Sequence, residues 1–100
     1  MISLKEEIKC KTVVITGSAR EIGPEMAKVF RKNNFNVVIS DVLEEKLVES
    51  HKKLEDISPK GKILHVVCDV TSEKDLNSLA NETSEKFKTV DIWINNAGVN

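Results

Sequence analysis

The sequence has few of the residues that build metal centres or disulfide frameworks. It contains two cysteines and two histidines, Cys10, Cys68, His51 and His65, and no CxxC, HExxH or mixed Cys/His cluster. This excludes the usual zinc and redox motifs, and we expect two reduced thiols rather than a disulfide. His51 falls on a predicted helix face and His65 in a predicted strand, and we assign no chemistry to either.

Strong charge and long hydrophobic runs are also absent. The net charge is −1, which gives no electrostatic reason to expect nucleic acid or an anionic membrane as partner. No apolar run approaches the length of a membrane span, and residues 1–11 lack the apolar segment of a secretory signal. We therefore expect a cytoplasmic protein that folds as a single domain over residues 1–100.

The sequence does show a regular alternation of short β-branched runs with stretches of helical period. The runs predict buried strands at residues 11–16, 36–41, 62–68 and 90–95. The stretches between them predict helices at 23–33, 43–57 and 72–87. Strands this apolar must be covered on both faces. The fold class is therefore α/β, a Rossmann-like doubly wound parallel sheet in the sequence β-α-β-α-β-α-β, with strand order 3-2-1-4.

Polar or small residues follow each predicted strand, where ligands of such sheets bind. The first strand leads into a turn that opens a helix, which favours a pyrophosphate. The second strand ends at Asp41, 18 residues after Gly23, close to the spacing of a carboxylate that binds adenosine ribose. The candidate site residues at the four strand ends are Gly17, Ser18, Arg20, Ile22, Gly23, Asp41, Asp69, Val70, Asn96, Ala97 and Gly98.

Each of these residues also has an ordinary structural interpretation. Asp41 fits a cap of the second helix, with Glu44 completing a capping box, as well as it fits a ribose ligand. Asp69 fits a turn before the third helix, for which Ser72 is the predicted cap and Thr71 the alternative. The GxGxxG spacing is absent, so the glycines alone are weak evidence. Matches at four consecutive strand ends nevertheless favour a nucleotide site.

Together these residues resemble the short-chain dehydrogenase/reductase family, from about residue 11 to the end of the chain. The matching motifs are Thr16-Gly17-xxx-Glu21-Ile22-Gly23, Asp41, Cys68-Asp69-Val70-Thr71 and Asn95-Asn96-Ala97-Gly98. The resemblance implies an NAD(P)-dependent oxidoreductase that interconverts a carbonyl and an alcohol by hydride transfer.

The same resemblance implies a role for each strand end. Residues 17–22 would surround the pyrophosphate and the adenosine ribose, and Asp41 would hold the ribose. Asp69 and Val70 would flank the adenine. Residues 96–98 would line the middle of the cofactor, and Asn95 would tie the fourth strand to its neighbours.

Two departures from the family pattern matter. Glu21 stands where the family has its middle glycine, and it places a Cβ and a negative charge near the pyrophosphate. We therefore expect weaker cofactor binding, unless Glu21 points to solvent or Arg20 partly neutralises it. The sequence also has no tyrosine, and the family's catalytic Ser and Tyr-x-x-x-Lys motif would lie beyond Asn100.

We accordingly assign no catalytic residue and expect this chain alone to be inactive. The alternative hypothesis is a non-catalytic dinucleotide-binding module or a truncated gene product. The fourth strand would form an exposed sheet edge, so we also expect marginal stability or self-association.

The choice of cofactor and substrate depends on few residues. Asp41 favours NAD, because a carboxylate at this position accepts ribose hydroxyls and repels the 2′-phosphate of NADP. Arg20 indicates the alternative, NADP, because a cation at this position could bind the 2′-phosphate. Residues 91–98 with Asn100 are similar to the chlorophyll b reductase branch of the family. The substrate would be a small carbonyl or alcohol compound, and no residue of this chain specifies which.

Overall fold

All seven predicted elements are present in the computed structural model, which describes residues 10–19 and 22–96. The strands are β1 (Thr12–Thr16), β2 (Asn36–Asp41), β3 (Ile63–Val67) and β4 (Ile92–Asn95), and the helices are α1 (Gly23–Lys32), α2 (Glu44–Glu55) and α3 (Glu73–Phe87). Most predicted ends agree within a residue. The prediction of α2 is two residues too long at its C-terminus, because a turn from Leu54 to Ile57 ends the helix.

The four strands form one parallel sheet in the order β3-β2-β1-β4, which confirms the predicted fold class and strand order. The registers place Val14 beside Val38 and Trp93, and Val38 beside Leu64. The direction of winding reverses between β1 and β4, so the carboxyl ends of these two strands flank the topological switch point. Sheets of this kind bind ligands in that crevice.

Alternate residues of the strands pack against helices on the two faces of the sheet. On one face Val13, Ile15, Val37 and Ile39 contact a cluster that α1 and α2 complete with Ala27, Leu47 and Leu54. On the other face Val14 and Val38 pack against Leu79 of α3. These strand side chains have 0% exposure, and burial of each stabilises the fold by about 1.5–3 kcal/mol.

The fourth strand is much less covered than its neighbour. Ile92 and Trp93 of β4 are both 37% exposed, whereas Val13 and Val14, their partners in β1, are fully buried. Within residues 10–19 and 22–96, β4 pairs with β1 alone. The expected open sheet edge is therefore present, and self-association through it stays a prediction.

A buried cation joins the elements at the opposite end of the sheet. Arg31, in the last turn of α1, is 2% exposed. Its guanidinium donates to four backbone carbonyl oxygens, those of Leu54 (3.3 Å), Phe35 (3.0 Å), Lys60 (2.9 Å) and Ser58 (2.8 Å). Burial lowers the pKa of Arg31 from its ordinary value, and the carbonyl dipoles compensate the desolvation of the charge.

Candidate functional site

The turn after β1 is attached directly to the end of β2. Gly17 has a φ of 63°, a left-handed conformation that favours glycine. The next residue, Ser18, lies beside Ser40 of β2. The Ser40 carbonyl accepts from the Ser18 amide (3.0 Å) and from the Ser18 hydroxyl (3.2 Å). The Ser40 amide in turn donates to Ser18 Oγ (2.7 Å). Both serines are fully buried, so the Ser18 side chain positions the turn and faces β2.

Asp41 joins the same turn to the loop that precedes α2. Its Oδ2 accepts from the Ala19 amide (3.3 Å), and its Oδ1 accepts from the amides of Val42 (2.7 Å) and Leu43 (3.3 Å). The cap position of α2 is Leu43, and no side chain caps this helix. The predicted capping box of Asp41 with Glu44 is therefore wrong, because the Asp41 carboxylate binds amides that lie before the helix begins.

These contacts change which amides are available to an anion. Ser18 and Ala19 donate their amide hydrogens within the protein. The first N–H groups of a helix have no intrahelical partner, which at the start of α1 applies to Gly23 and Glu25, while Pro24 has no N–H to offer. A Cβ on Gly23 would lie 2.6 Å from Ser18 Cα, so this glycine lets the helix approach the turn.

The end of β4 is tied to the end of β1 through Asn96 and Thr16. The Asn96 amide donates to Thr16 Oγ1 (3.2 Å), and Asn96 Nδ2 donates to the carbonyl of Gly17 (3.2 Å). Thr16 Oγ1 also lies 3.4 Å from the Ile94 carbonyl oxygen and donates to it. The side chain of Asn95 accepts from Trp93 of its own strand (2.9 Å). Within residues 10–19 and 22–96, the Asn96 side chain therefore bonds to the turn after β1, and the Asn95 side chain bonds within β4.

The end of β3 leads into a hydrogen-bonded start of α3. Asp69 Oδ1 accepts from the amide (2.9 Å) and the hydroxyl (2.7 Å) of Thr71, and these bonds lower the pKa of the Asp69 carboxyl. Ser72 is the cap of α3 and accepts from the Asp75 amide (3.2 Å), as predicted. Asp75 Oδ2 accepts from the Asp69 amide (3.0 Å). Burial raises the pKa of the neighbouring Cys68 thiol.

One series of hydrogen bonds links all four strand ends. Asn96 bonds to Gly17, Ala19 to Asp41, and the Asp41 carbonyl accepts from the Cys68 amide (3.0 Å), one residue before Asp69. The predicted positions that lie together at this edge are Gly17, Ser18, Gly23, Asp41, Asp69 and Asn96. Ile22 is the N-cap residue that precedes α1 and is 61% exposed, and Val70 is half-buried. The remaining predicted residues, Arg20, Ala97 and Gly98, lie outside the described residues, as does Glu21.

Comparison with known proteins identifies the family. A model of the short chain dehydrogenase family matches residues 11–100. The chain therefore belongs to this family and has its Rossmann-type oxidoreductase fold. The family implies a nicotinamide dinucleotide, NAD or NADP, as cofactor.

Individual relatives include plant and bacterial reductases. Chlorophyll(ide) b reductase NOL of Oryza sativa subsp. japonica, named as chloroplastic, is 40% identical over 88% of this chain and 26% of its own length. L-Sorbose reductase from Gluconobacter frateurii, solved with NADPH and L-sorbose, is 29% identical over 92% of this chain and 35% of that chain, with a TM-score of 0.85. NAD⁺-bound xylitol dehydrogenase is 25% identical over 89% of this chain and 34% of that chain, with a TM-score of 0.83.

These comparisons confirm the resemblance to the family and to its chlorophyll b reductase branch. The chain spans about a quarter to a third of the length of the first curated relatives that it matches. Across residues 10–19 and 22–96, no helix is long and apolar enough to cross a membrane.

Proposed function

We propose that this chain is the dinucleotide-binding portion of an NAD(P)-dependent oxidoreductase that transfers hydride between a nicotinamide cofactor and a small carbonyl or alcohol substrate. The observation that carries this proposal is the series of hydrogen bonds that joins the ends of all four strands at the switch point. A left-handed glycine turn, a helix N-terminus and a carboxylate meet there. These are the groups that suit a diphosphate and a ribose.

Each strand end has a separate task in this proposal. The amides at the start of α1 and the turn that contains Gly17 face the pyrophosphate, and the proposal assigns Arg20 to the same group of the cofactor. Asp41 holds the adenosine ribose, and Asp69 and Val70 flank the adenine. Asn96 keeps β4 close to β1, and with Ala97 and Gly98 it lines the middle of the cofactor. Ser18 acts by positioning the turn rather than by contacting the cofactor with its side chain.

We further propose that NAD is preferred to NADP. The Asp41 carboxylate would accept ribose hydroxyls and oppose a 2′-phosphate. This carboxylate already accepts three amides and is 2% exposed. Ribose binding would therefore have to shift the turn and displace the long 3.3 Å bond from Ala19. Relatives with NADPH and with NAD⁺ share the fold, so the fold does not make the choice, and we assign it to the side chain of Asp41.

The chemistry divides between the bound cofactor and the protein. The nicotinamide, when bound, supplies or accepts the hydride. The described residues bind and orient the adenosine and diphosphate, and the buried turn keeps water from the backbone bonds that hold it. The proposal assigns proton transfer to no residue of this chain. It also retains a cytoplasmic location as a prediction, although the rice relatives are named as chloroplastic.

Fluorescence titration of the chain with NADH and NADPH tests the proposal. We expect NADH to bind more tightly. Asp41→Asn should weaken NADH binding by about ten- to hundredfold, because a hydrogen bond to a charged group contributes about 1.5–3 kcal/mol. The same change should leave NADPH binding unchanged or improved. Asp56→Asn is the matched control, since Asp56 is exposed at the C-terminal end of α2 and the change in charge is the same.

Two results would contradict the proposal in different ways. Equal weakening of both nucleotides by Asp41→Asn would reject the NAD preference and leave the binding site. No binding of either nucleotide would reject the site itself. Binding without turnover of any carbonyl compound by the whole protein would instead favour the non-catalytic binding module.

A further inference from the structure

The two histidines of the sequence contact each other in the fold. His51 lies in α2 and His65 in β3, and their Nδ1 atoms are 2.7 Å apart. The rings meet edge to face, with centroids 4.8 Å apart and an angle of 85° between their planes. The chain has no other histidine. Every side chain whose ordinary pKa lies between about 5 and 8 is therefore in this pair.

The neighbouring carboxylate determines which nitrogen carries each proton. His51 Nε2 lies 3.1 Å from Glu55 Oε1, one helical turn further along α2. A carboxylate only accepts hydrogen bonds, so His51 donates from Nε2, and the Nδ1 of the neutral ring is left as an acceptor. His65 must then donate from its Nδ1. His65 therefore donates to His51, and His51 donates to Glu55.

This arrangement can hold one additional proton but not two. A proton on His51 Nδ1 would turn that atom into a donor, and the bond would survive if the His65 proton moved to its own Nε2. A second proton would place an N–H on both of the facing nitrogen atoms. Two donors with like charge cannot remain 2.7 Å apart. The contact between α2 and β3 would then have to open.

The surroundings oppose the charged form of His51. Burial, the His65 ring and Lys86 near the end of α3 lower the pKa of His51 below its ordinary value of 6.5, and only Glu55 acts in the opposite direction. Lys62, which precedes β3, and the buried Arg31 of α1 line the same cavity as both His51 and Glu55. Three cations and one carboxylate therefore line the cavity beside His51.

The lowered pKa of His51 sets the sign with which the stability of the fold depends on pH. Because the folded state binds the His51 proton less tightly than the unfolded state, stability rises with pH in this range. The contribution of the neutral His51 ring is complete above pH 6.5 and is lost as the pH falls through the lower pKa that this ring has in the folded state.

We propose that His51 and His65 form a proton-sensitive latch that holds α2 against β3 at neutral pH and opens when both rings are charged. The loop of Asp41, Val42 and Leu43 leads directly into α2, so opening would loosen the ribose end of the candidate site. Only this last consequence rests on the proposed function. The latch depends on the pair itself.

NMR of the histidine ring Hε1 resonances and hydrogen exchange of backbone amides test the latch on the full chain. We expect two separate titration steps, because the rings share one bond. Between about pH 7.5 and pH 5 the opening equilibrium of the α2 amides should rise about two- to tenfold, the value of one net hydrogen bond. Amides of α1 serve as the internal control and should change less.

Two variants separate the latch from other sources of pH dependence. His65→Asn keeps a group that can donate to His51 or accept from it but cannot become charged, so the opening in acid should be reduced to the part that burial of the His51 ring causes. His51→Asn with His65→Asn removes both titratable rings and should make the opening equilibrium of the α2 amides independent of pH over this range. A single titration step shared by both wild-type rings would overturn the latch, as would an opening equilibrium that keeps its pH dependence in the double variant. If the latch behaves as expected while NADH fails to bind at any pH, only the proposed function fails.

Discussion

The Ser18 hydroxyl offers the sharpest test of how the site is built. Ser18→Ala removes the acceptor of the Ser40 amide and one of two donors to the Ser40 carbonyl. The carbonyl keeps its bond from the Ser18 amide, but the Ser40 amide is left buried without its acceptor. Leaving a buried donor unsatisfied costs about 1–3 kcal/mol. We therefore expect the free energy of unfolding to fall by about that amount.

Ser40→Ala is the matched control for this change. Ser40 is equally buried, but within the described part of the chain its hydroxyl has no hydrogen bond of acceptable geometry. The Ser40 hydroxyl lowers the pKa of the Cys68 thiol, but the larger effect of burial raises that pKa. The backbone of Ser40, which makes the bonds to Ser18, is retained. We expect Ser40→Ala to change the free energy of unfolding by less than about 0.5 kcal/mol, or to raise it.

Urea unfolding followed by circular dichroism measures both variants. The free energy of unfolding should fall with urea concentration at the same slope in both variants, because neither change alters the surface exposed on unfolding. Equal destabilisation by the two variants would refute the reasoning, since it would show that burial of a serine matters and the hydrogen bonds do not. A neutral Ser18→Ala would refute it as well. Threonine at position 18 should restore part of the loss by supplying the hydroxyl.

Two further predictions concern other hydrogen bonds of the fold. Arg31→Met keeps the apolar stem but removes all the donors to four backbone carbonyls. We therefore expect the free energy of unfolding in urea to fall by about 2–4 kcal/mol. A smaller fall than that caused by Lys32→Met, a change at an exposed neighbour, would contradict this. Asn96→Ala should lower stability by about 0.5–1.5 kcal/mol, because the bond to the Gly17 carbonyl is lost. Asn95→Ala should have a smaller effect, since Asn95 is exposed and, among the residues that the structure describes, its side chain bonds within β4.

The sequence alone determined the order, type and approximate bounds of the seven elements. Periods of two and 3.6 residues are local properties, as are caps such as Ser72 with Asp75, and both can be recognised from neighbouring residues. The strand order followed from the doubly wound pattern of such sheets, whose right-handed crossovers are a property of L-residues rather than of this sequence. Positions at strand ends, such as Asp41 and Asp69, could therefore be assigned to one edge of the sheet.

Only the tertiary structure decided where the polar groups of those positions point. Ser18 faces β2, Asp41 binds the Ala19 amide, and His51 meets His65. Arg31 reaches carbonyls up to 29 residues away. Such contacts depend on the register between strands and on the angle at which each helix crosses the sheet. Both are set by the packing of the whole core, so no local pattern in the sequence records them.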